Sequence, residues 1–351
     1  MGASAALELA RRGRSVRVLE RFEPGHSRGS SHGPTRIFRL SYPDQGYVEL
    51  AVQALSDWRR LERDTKESLL SVTGGLDIGP GATACVAAMA ASGVPFETID
   101  AGQAADAFGL DLGDQSAVFQ RDAAVIDCRK TIDLQIDLAR QAGGQVEYGV
   151  RVASILPCSD GSVELLTSAG RFVASIVVMA AGPWARPLAT TFGLDLPLHV
   201  TLEQVAYLAP AASETPAANK SPIVIDWSSP PRYLIPAVHG APGMKVGLHH
   251  HGFHVDPEDG PFPTSLARTA PAALWASRLV GQPLHVAAAE TCLYTNTASE
   301  DFLIFGQDGM IVMSACSGHG FKFAPRLGRA VADLIDGVDP NLPEPEGAMQ
   351  P

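Results

Sequence analysis

The sequence predicts a mixed α/β protein, α+β overall, built from two interleaved domains. Three observations lead there. A helix-like stretch, residues 3–13, precedes a short strand, Ser15-Val16-Arg17-Val18-Leu19, that ends on Glu20; this order is half of a βαβ unit. From about 197 to 290 the texture changes to short strands broken by Pro/Gly/Ser-rich loops, the pattern of a mainly antiparallel sheet. After Cys292 the alternation of strands and helices resumes. A first domain in separated segments, 1–71, 127–195 and 291–351, interrupted by a second in 72–126 and 196–290, accounts for this order.

Composition bounds the function. A chain of 351 residues, 46% hydrophobic and 19% charged, has the make-up of a soluble globular protein with a large core. A net charge of -11 without a long basic run argues against nucleic acid as a partner. No apolar run is long enough for a membrane span, and Glu8 comes too early for a secretory leader. Neither a myristoylation signal nor a peroxisomal tripeptide is present. The scattered cysteines Cys85, Cys128, Cys158, Cys292 and Cys316 fit a reducing, cytoplasmic setting better than a disulfide framework.

The elements follow from periodicity. Residues 3–13 are Ala-rich and stop at Gly13. Apolar residues at 47, 48, 51, 55, 58 and 61 form a helical stripe with Trp58 inside it. Gly74–Gly79 reads as a strand-like turn, 82–92 and 103–108 as small helices, and Ile126–Arg140 as a helix closed by Gly143-Gly144. Strands are expected at 145–155 and 162–167. Phe172–Ala180 is a mostly apolar run, expected as one strand covered on both faces. Further strands are expected at His199–Leu208, Ile223–Trp227, Tyr233–Pro236, Lys245–His249, Phe302–Phe305 and Ile311–Ser314, then a helix at 325–336. Loop 209–222 and a frayed tail at 338–351 complete the chain.

Two stretches carry chemistry. His26–Arg39 is dense in Gly, Ser, His and Arg between two apolar elements, the make-up of a ligand loop or of a flexible surface loop. Glycine lets backbone approach a ligand, and the guanidinium fork suits phosphate or carboxylate. Near the C-terminus, Cys292-Leu293-Tyr294-Thr295-Asn296-Thr297 and Ser317-Gly318-His319-Gly320-Phe321-Lys322 bring a thiol, a phenol, an imidazole and an ammonium into one region. Glu20 stands where an acidic residue of a βαβ unit holds a ribose hydroxyl, though a solvated surface Glu gives the same pattern.

These motifs, with Val18–Phe22, Ala181-Gly182-Pro183-Trp184 and Met244-Lys245-Val246-Gly247, give the chain a resemblance to the monomeric sarcosine oxidase family of FAD-dependent amine oxidases. That family includes N-methyltryptophan and pipecolate oxidases. The resemblance runs from residue 2 to about 337. It implies a Rossmann-like FAD-binding domain beside a mainly antiparallel substrate domain. It also implies oxidation of a secondary amino acid by hydride transfer to flavin, giving an imine and then aldehyde and amine, with oxygen reduced to hydrogen peroxide. Cys292 would carry the flavin covalently. Arg39 and Lys322 would hold the substrate carboxylate. Lys245, His249, Tyr294 and His319 would be catalytic, with Lys245 activating oxygen. Gly2, Glu20, Arg21, Ser31, His32, Arg36, Val152, Gly182, Trp184, Gly318, Gly320, Phe321 and Lys322 would line the cofactor. A monomer is the family expectation.

The family begins with a strand and a full G-x-G-x-x-G, of which only Gly2 has a counterpart here. This implies a start assigned too late or a shortened copy, and a gap in the sheet. If Met1 is the true start, FAD binding and stability are expected to be poor. The alternatives are a non-catalytic remnant acting as a binding module, or a dehydrogenase that hands electrons to a carrier. His249-His250-His251-Gly252-Phe253-His254 raises a metal site, with His249 and His251 on one strand face and His254 curling back. No Cys or carboxylate ligand pattern accompanies it, so no metal is assigned.

Overall fold

The computed structural model describes residues 1–210 and 221–343. The chain opens with α1 (Gly2–Arg11), β1 (Arg17–Leu19), β2 (Thr35–Phe38), α2 (Gln45–Thr65), β3 (Leu70–Val72) and β4 (Gly75–Ile78). There follow α3 (Ala82–Ala91), β5 (Glu97–Ile99), α4 (Ala101–Phe108), β6 (Ala117–Gln120), β7 (Ala124–Asp127), α5 (Cys128–Gln141) and β8 (Gln145–Glu147). Then come β9 (Val152–Pro157), β10 (Val163–Thr167), β11 (Gly170–Ala174), β12 (Val177–Met179), α6 (Ala185–Phe192), β13 (His199–Pro210), β14 (Ile223–Asp226), β15 (Arg232–Ile235), β16 (Met244–Leu248) and β17 (Phe253–His254). The chain closes with α7 (Leu266–Leu279), β18 (Leu284–Asn296), β19 (Leu303–Gln307), β20 (Met310–Ser314) and α8 (Ala324–Ile335).

The strands sort into a large sheet and smaller ones. In the large sheet β17, β13, β16, β15, β14, β4, β6 and β5 run side by side, and β18 pairs with β13. Its pairs are antiparallel except β14 with β4. The parallel part is split: β1 pairs with β8, β12 pairs with β20, and no described strand joins β1 to β12. Both of these unjoined strands line one cavity, and α1 packs against both. Among the described residues the parallel strands thus form two separate pieces, with a gap between β1 and β12. The expected domain boundaries fall inside pairings. Residues 291–296 are part of β18, which pairs with β13 along its length, and 124–126 are part of β7, which pairs with β2 and β3.

Several expected elements changed for identifiable reasons. The apolar run 172–180 divides at Ser175-Ile176. Val173 is 57% exposed in an outer hairpin, and only β12 enters the covered parallel sheet. Apolar composition alone does not separate the two. Ile126 and Asp127 end a strand instead of starting a helix; the Asp127 carboxylate accepts from the Lys130 amide and caps α5. The strand expected over 145–155 is β8 and β9, on two different sheets. Helix α7 was not anticipated, because Pro271 interrupts its pattern. It packs Ala272, Ala276 and Leu279 onto the large sheet. Most of loop 209–222 and of the tail 338–351 lies outside the described residues.

Helix α2 illustrates how the core positions chemistry. Asp44 caps it, and its buried face carries Tyr47, Val48, Ala51, Ala54, Trp58 and Leu61. Trp58 is fully buried, and its indole N–H donates to the Lys322 carbonyl at 2.7 Å. A core tryptophan thus fixes the backbone of a candidate site residue. Trp58→Phe keeps most of the apolar volume and leaves that carbonyl unsatisfied. It should lower unfolding free energy by about 1–3 kcal/mol, read as a shift of the urea midpoint.

Candidate active site

Every residue singled out from the sequence as a site residue lines a single cavity of about 1820 Å³. That exceeds the ~300–1,000 Å³ of an ordinary small-molecule pocket. The large sheet supplies one wall. Alternation along β18 sends Glu290, Cys292 and Tyr294 to the cavity side, while Lys245 comes from β16 and Tyr233 from β15. The loop after β20, together with residues 22–39, supplies the rest of this end.

Three cations define its electrostatics, half-buried Arg39 and buried Lys322 and Lys245. Arg39 lies over the rings of Tyr42 at 4.1 Å and Trp227 at 5.0 Å. Lys322 is 5% exposed and donates to the Tyr42 hydroxyl and the His319 carbonyl, both at 2.8 Å. Burial, with Arg39 adding to it, holds the Lys322 ammonium well below its ordinary pKa. Among the described residues neither Arg39 nor Lys322 forms an ion pair. Asp77 acts on Arg39 from a distance, but its oxygens accept from Trp227 at 2.8 Å and Gln120 at 3.0 Å. Lys245 is the third, also 5% exposed, with a 3.4 Å contact to the Thr35 carbonyl. Burial first, then the nearby Arg36, lowers its pKa to about 8.

The other candidates have mixed situations. Burial pushes the Cys292 thiol up to about 11, against the pull of Arg36 and Lys245. Burial also keeps His249 and His319 neutral. His319 is stacked on Phe302 at 4.8 Å, and its ring nitrogens face Tyr42 at 3.4 Å and the Glu300 carbonyl at 3.1 Å. Arg36 spends its guanidinium on the carbonyls of Ser30, His32 and Thr35, so it holds the loop in shape while lining the cavity. Gly318 has φ of +72°, and a Cβ there would collide with Tyr294 and His249. A Cβ on Gly320 would fall on the Ala315 carbonyl. Both glycines are required by protein packing, whatever else they contact.

At the far end, the Glu20 carboxylate accepts from the Phe22 amide at 2.9 Å. Arg21 forks onto Glu258 at 2.6 and 2.8 Å, and Trp184 donates to the same carboxylate. Sequence reasoning missed Tyr42, Trp227, Tyr233 and Glu290. Tyr42 stands three residues after Arg39 and was within reach of it. The others reach the cavity only through sheet register.

The comparisons with known proteins agree with this geometry. The family described as DAO, FAD dependent oxidoreductase, matches residues 1–334. The chain belongs to the FAD-dependent oxidoreductase family. Within this family it is 28% identical to the peroxisomal sarcosine oxidase of Mus musculus, over 97% of this chain and 90% of that protein. It is 29% identical to a monomeric sarcosine oxidase of Streptomyces avermitilis, over 95% and 90%. It is 28% identical to an N-methyl-L-tryptophan oxidase of Salmonella heidelberg, over 97% and 94%. Its fold matches NikD, an amino acid oxidase of nikkomycin biosynthesis, with a TM-score of 0.84 at 25% identity, covering 95% of this chain and 90% of NikD.

The residues at the Cys292 end of the cavity fit a bound FAD. His32 Nε2 is buried without a partner, as a group reserved for a ligand would be. Cys292 and Lys245 share the cavity with it. At the other end, Gly2 at the start of α1, Glu20 and Val152 line the same cavity. A helix N-terminus there suits phosphate.

An anion bound between Arg39 and Lys322 would restore the charge that burial suppresses on Lys322. Binding of a simple carboxylate should therefore take up protons. Calorimetry in two buffers of different ionisation enthalpy measures this, and heats independent of buffer would contradict it.

Proposed function

We propose that the chain oxidises a secondary amino acid, such as sarcosine, pipecolate or another N-methyl amino acid. The products are an imine, then aldehyde and amine, with oxygen as acceptor and hydrogen peroxide formed. The observation that carries this reading is a pair of cations, buried Lys322 and half-buried Arg39, that have no ion partner among the described residues and open onto the same cavity as Cys292 and Lys245. Desolvated cations are costly, and an anionic substrate group would offset that cost.

FAD, when bound, supplies the two-electron acceptor. Arg39, with its fork fixed between two rings, and Lys322, as a point charge, hold and orient the carboxylate. The same cations oppose a positive charge on the substrate amine, so the neutral amine that oxidation requires is favoured. His249 and His319 are neutral and add no further positive charge. Tyr294, in edge contact with His249 at 5.8 Å, closes the substrate side. Lys245 places a fixed cation where negative charge develops on oxygen. Cys292 is the residue we assign to a covalent flavin link. We expect a monomer, and the five free cysteines favour a reducing cytoplasmic setting. Among the described residues no helix is long and apolar enough to cross a membrane.

The test is to mix the purified yellow protein, without air, with sarcosine, pipecolate and N-methyl amino acids. Flavin bleaching by a secondary amino acid, then peroxide when air is admitted, is the expected result. Bleaching by none of them rejects the reading, and bleaching without peroxide makes the protein a dehydrogenase.

Two substitutions sharpen the assignment. Cys292→Ser should release all yellow colour into the supernatant on acid precipitation, whereas the parent protein keeps it in the pellet. Lys245→Met should slow reoxidation by oxygen about 10²–10³-fold, the scale of losing one charge-stabilising group. In the parent protein the reoxidation rate should fall as pH rises through about 8, where Lys245 loses its proton. Stopped-flow absorbance reads both effects.

A further inference from the structure

We propose that His249, His250 and Glu300 form a binding site for a divalent transition-metal ion, zinc above all, at the rim of the substrate cavity. Among the described residues this is the one group of three His, Cys, Asp or Glu donors whose ligand atoms all lie within 4.8 Å of one another. The His250 Nε2 to Glu300 Oε2 separation is 3.3 Å, and the same nitrogen lies 3.2 Å from the Ser317 carbonyl, a hydrogen bond that a metal ion would replace. Two ligands on a tetrahedral zinc ion, with bonds of about 2.0–2.1 Å, stand about 3.3–3.4 Å apart.

The backbone is shaped for this convergence. Consecutive residues of a strand point to opposite faces, so His249 and His250 would diverge if β16 continued. Instead the strand ends at Leu248, and His250 takes a left-handed φ of 51°. The two rings come to 4.2 Å between centroids. Glu300 is also left-handed, at φ of 66°. Such conformations are uncommon for residues other than glycine, less so for His than for Glu, and concentrate at functional sites. Tyr294 meets both imidazoles edge-on, at 5.8 and 5.6 Å, and limits their rotation. A His250–Glu300 ion pair would explain one of these contacts, but not the turning of His249 toward them.

The site differs from the one suggested by the His-rich run. His251 lies outside the group, and His254 instead pairs with His199 at 5.0 Å. Two imidazoles and a carboxylate are a donor set common to zinc, with a fourth position left for water. His249 also lines the large cavity, so a bound ion would draw its ring nitrogen away from that cavity. The metal would thereby act as an inhibitor of whatever reaction occurs there. The inference does not depend on the proposed reaction, because its test reads metal binding.

The test titrates the holoprotein, freed of metal by dialysis, with Zn²⁺ in a calorimeter and with Co²⁺ by visible absorption. One ion per chain with tetrahedral cobalt bands is expected. His250→Asn, which tolerates the left-handed backbone, and Glu300→Gln should each weaken binding at least about tenfold. His254→Asn should leave binding unchanged. Thermal melting confirms that each variant is folded, and Glu300→Gln decides if His250→Asn is not. No binding up to millimolar metal, equal affinity in parent and Glu300→Gln, or loss of binding in His254→Asn would each overturn the site.

Discussion

The pairing of β13 with β18 is the constraint on which the cavity depends. It runs from His199 opposite Asn296 to Pro210 opposite Leu284, with one irregularity near Tyr207. Alternation along β18 aims Glu290, Cys292 and Tyr294 at the cavity. β13 also pairs with β16, where Tyr207 stands opposite Lys245. One register therefore places the thiol, the phenol and the ammonium together. A slip of one residue would turn the side chains of β18 to the opposite face. Buried pairs such as Leu202 with Leu293 oppose that slip by keeping apolar groups out of water.

The second theme is charge held out of water. Lys245 and Lys322 are each 5% exposed, and Arg39 is half-buried against two aromatic rings. Tyr42 serves two of these groups, as a ring face for Arg39 and a hydroxyl acceptor for Lys322. Their desolvation disfavours folding, so the surrounding core has to offset it. Trp58 joins that core to the Lys322 backbone. His249 and His319 remain neutral first because they are buried, and then because the positive charge around them repels another. The same repulsion that makes this region costly to fold makes it receptive to an anion.

The split of the parallel sheet is the structural weak point. α1 spans it by packing against β1, β12, α5 and α8, and α1 buries Ala5, Ala6 and Leu7. Residues 16–19 and 177–180, on either side of this seam, line the same large cavity. The Cys292 end is walled by the continuous sheet, and the opposite end rests on separate pieces. Cofactor retention is thus expected to lean on the Cys292 side of the cavity.

Much of this was legible in the chain. The 3.6-residue stripe ending at Leu61 gave α2 and its buried Trp58, because helix periodicity is local. The short strands between 197 and 290 announced an antiparallel sheet for the same reason. The motifs from His26 to Arg39 and from Cys292 to Lys322 named the residues that line the cavity, since each motif is contiguous. Other features needed the folded chain. Only sheet pairing could show that Phe172–Ala180 is two strands, that β18 continues through Cys292, and that Tyr233 and Glu290 face the cavity. Only packing could show that Gly318 and Gly320 are required by neighbouring protein atoms, and that Arg36 is committed to its own loop. The His249, His250 and Glu300 cluster depends on two left-handed backbones that no residue pattern specified. Local sequence determined the elements and the chemical groups. Long-range register and burial decided which groups meet and which of them carry charge.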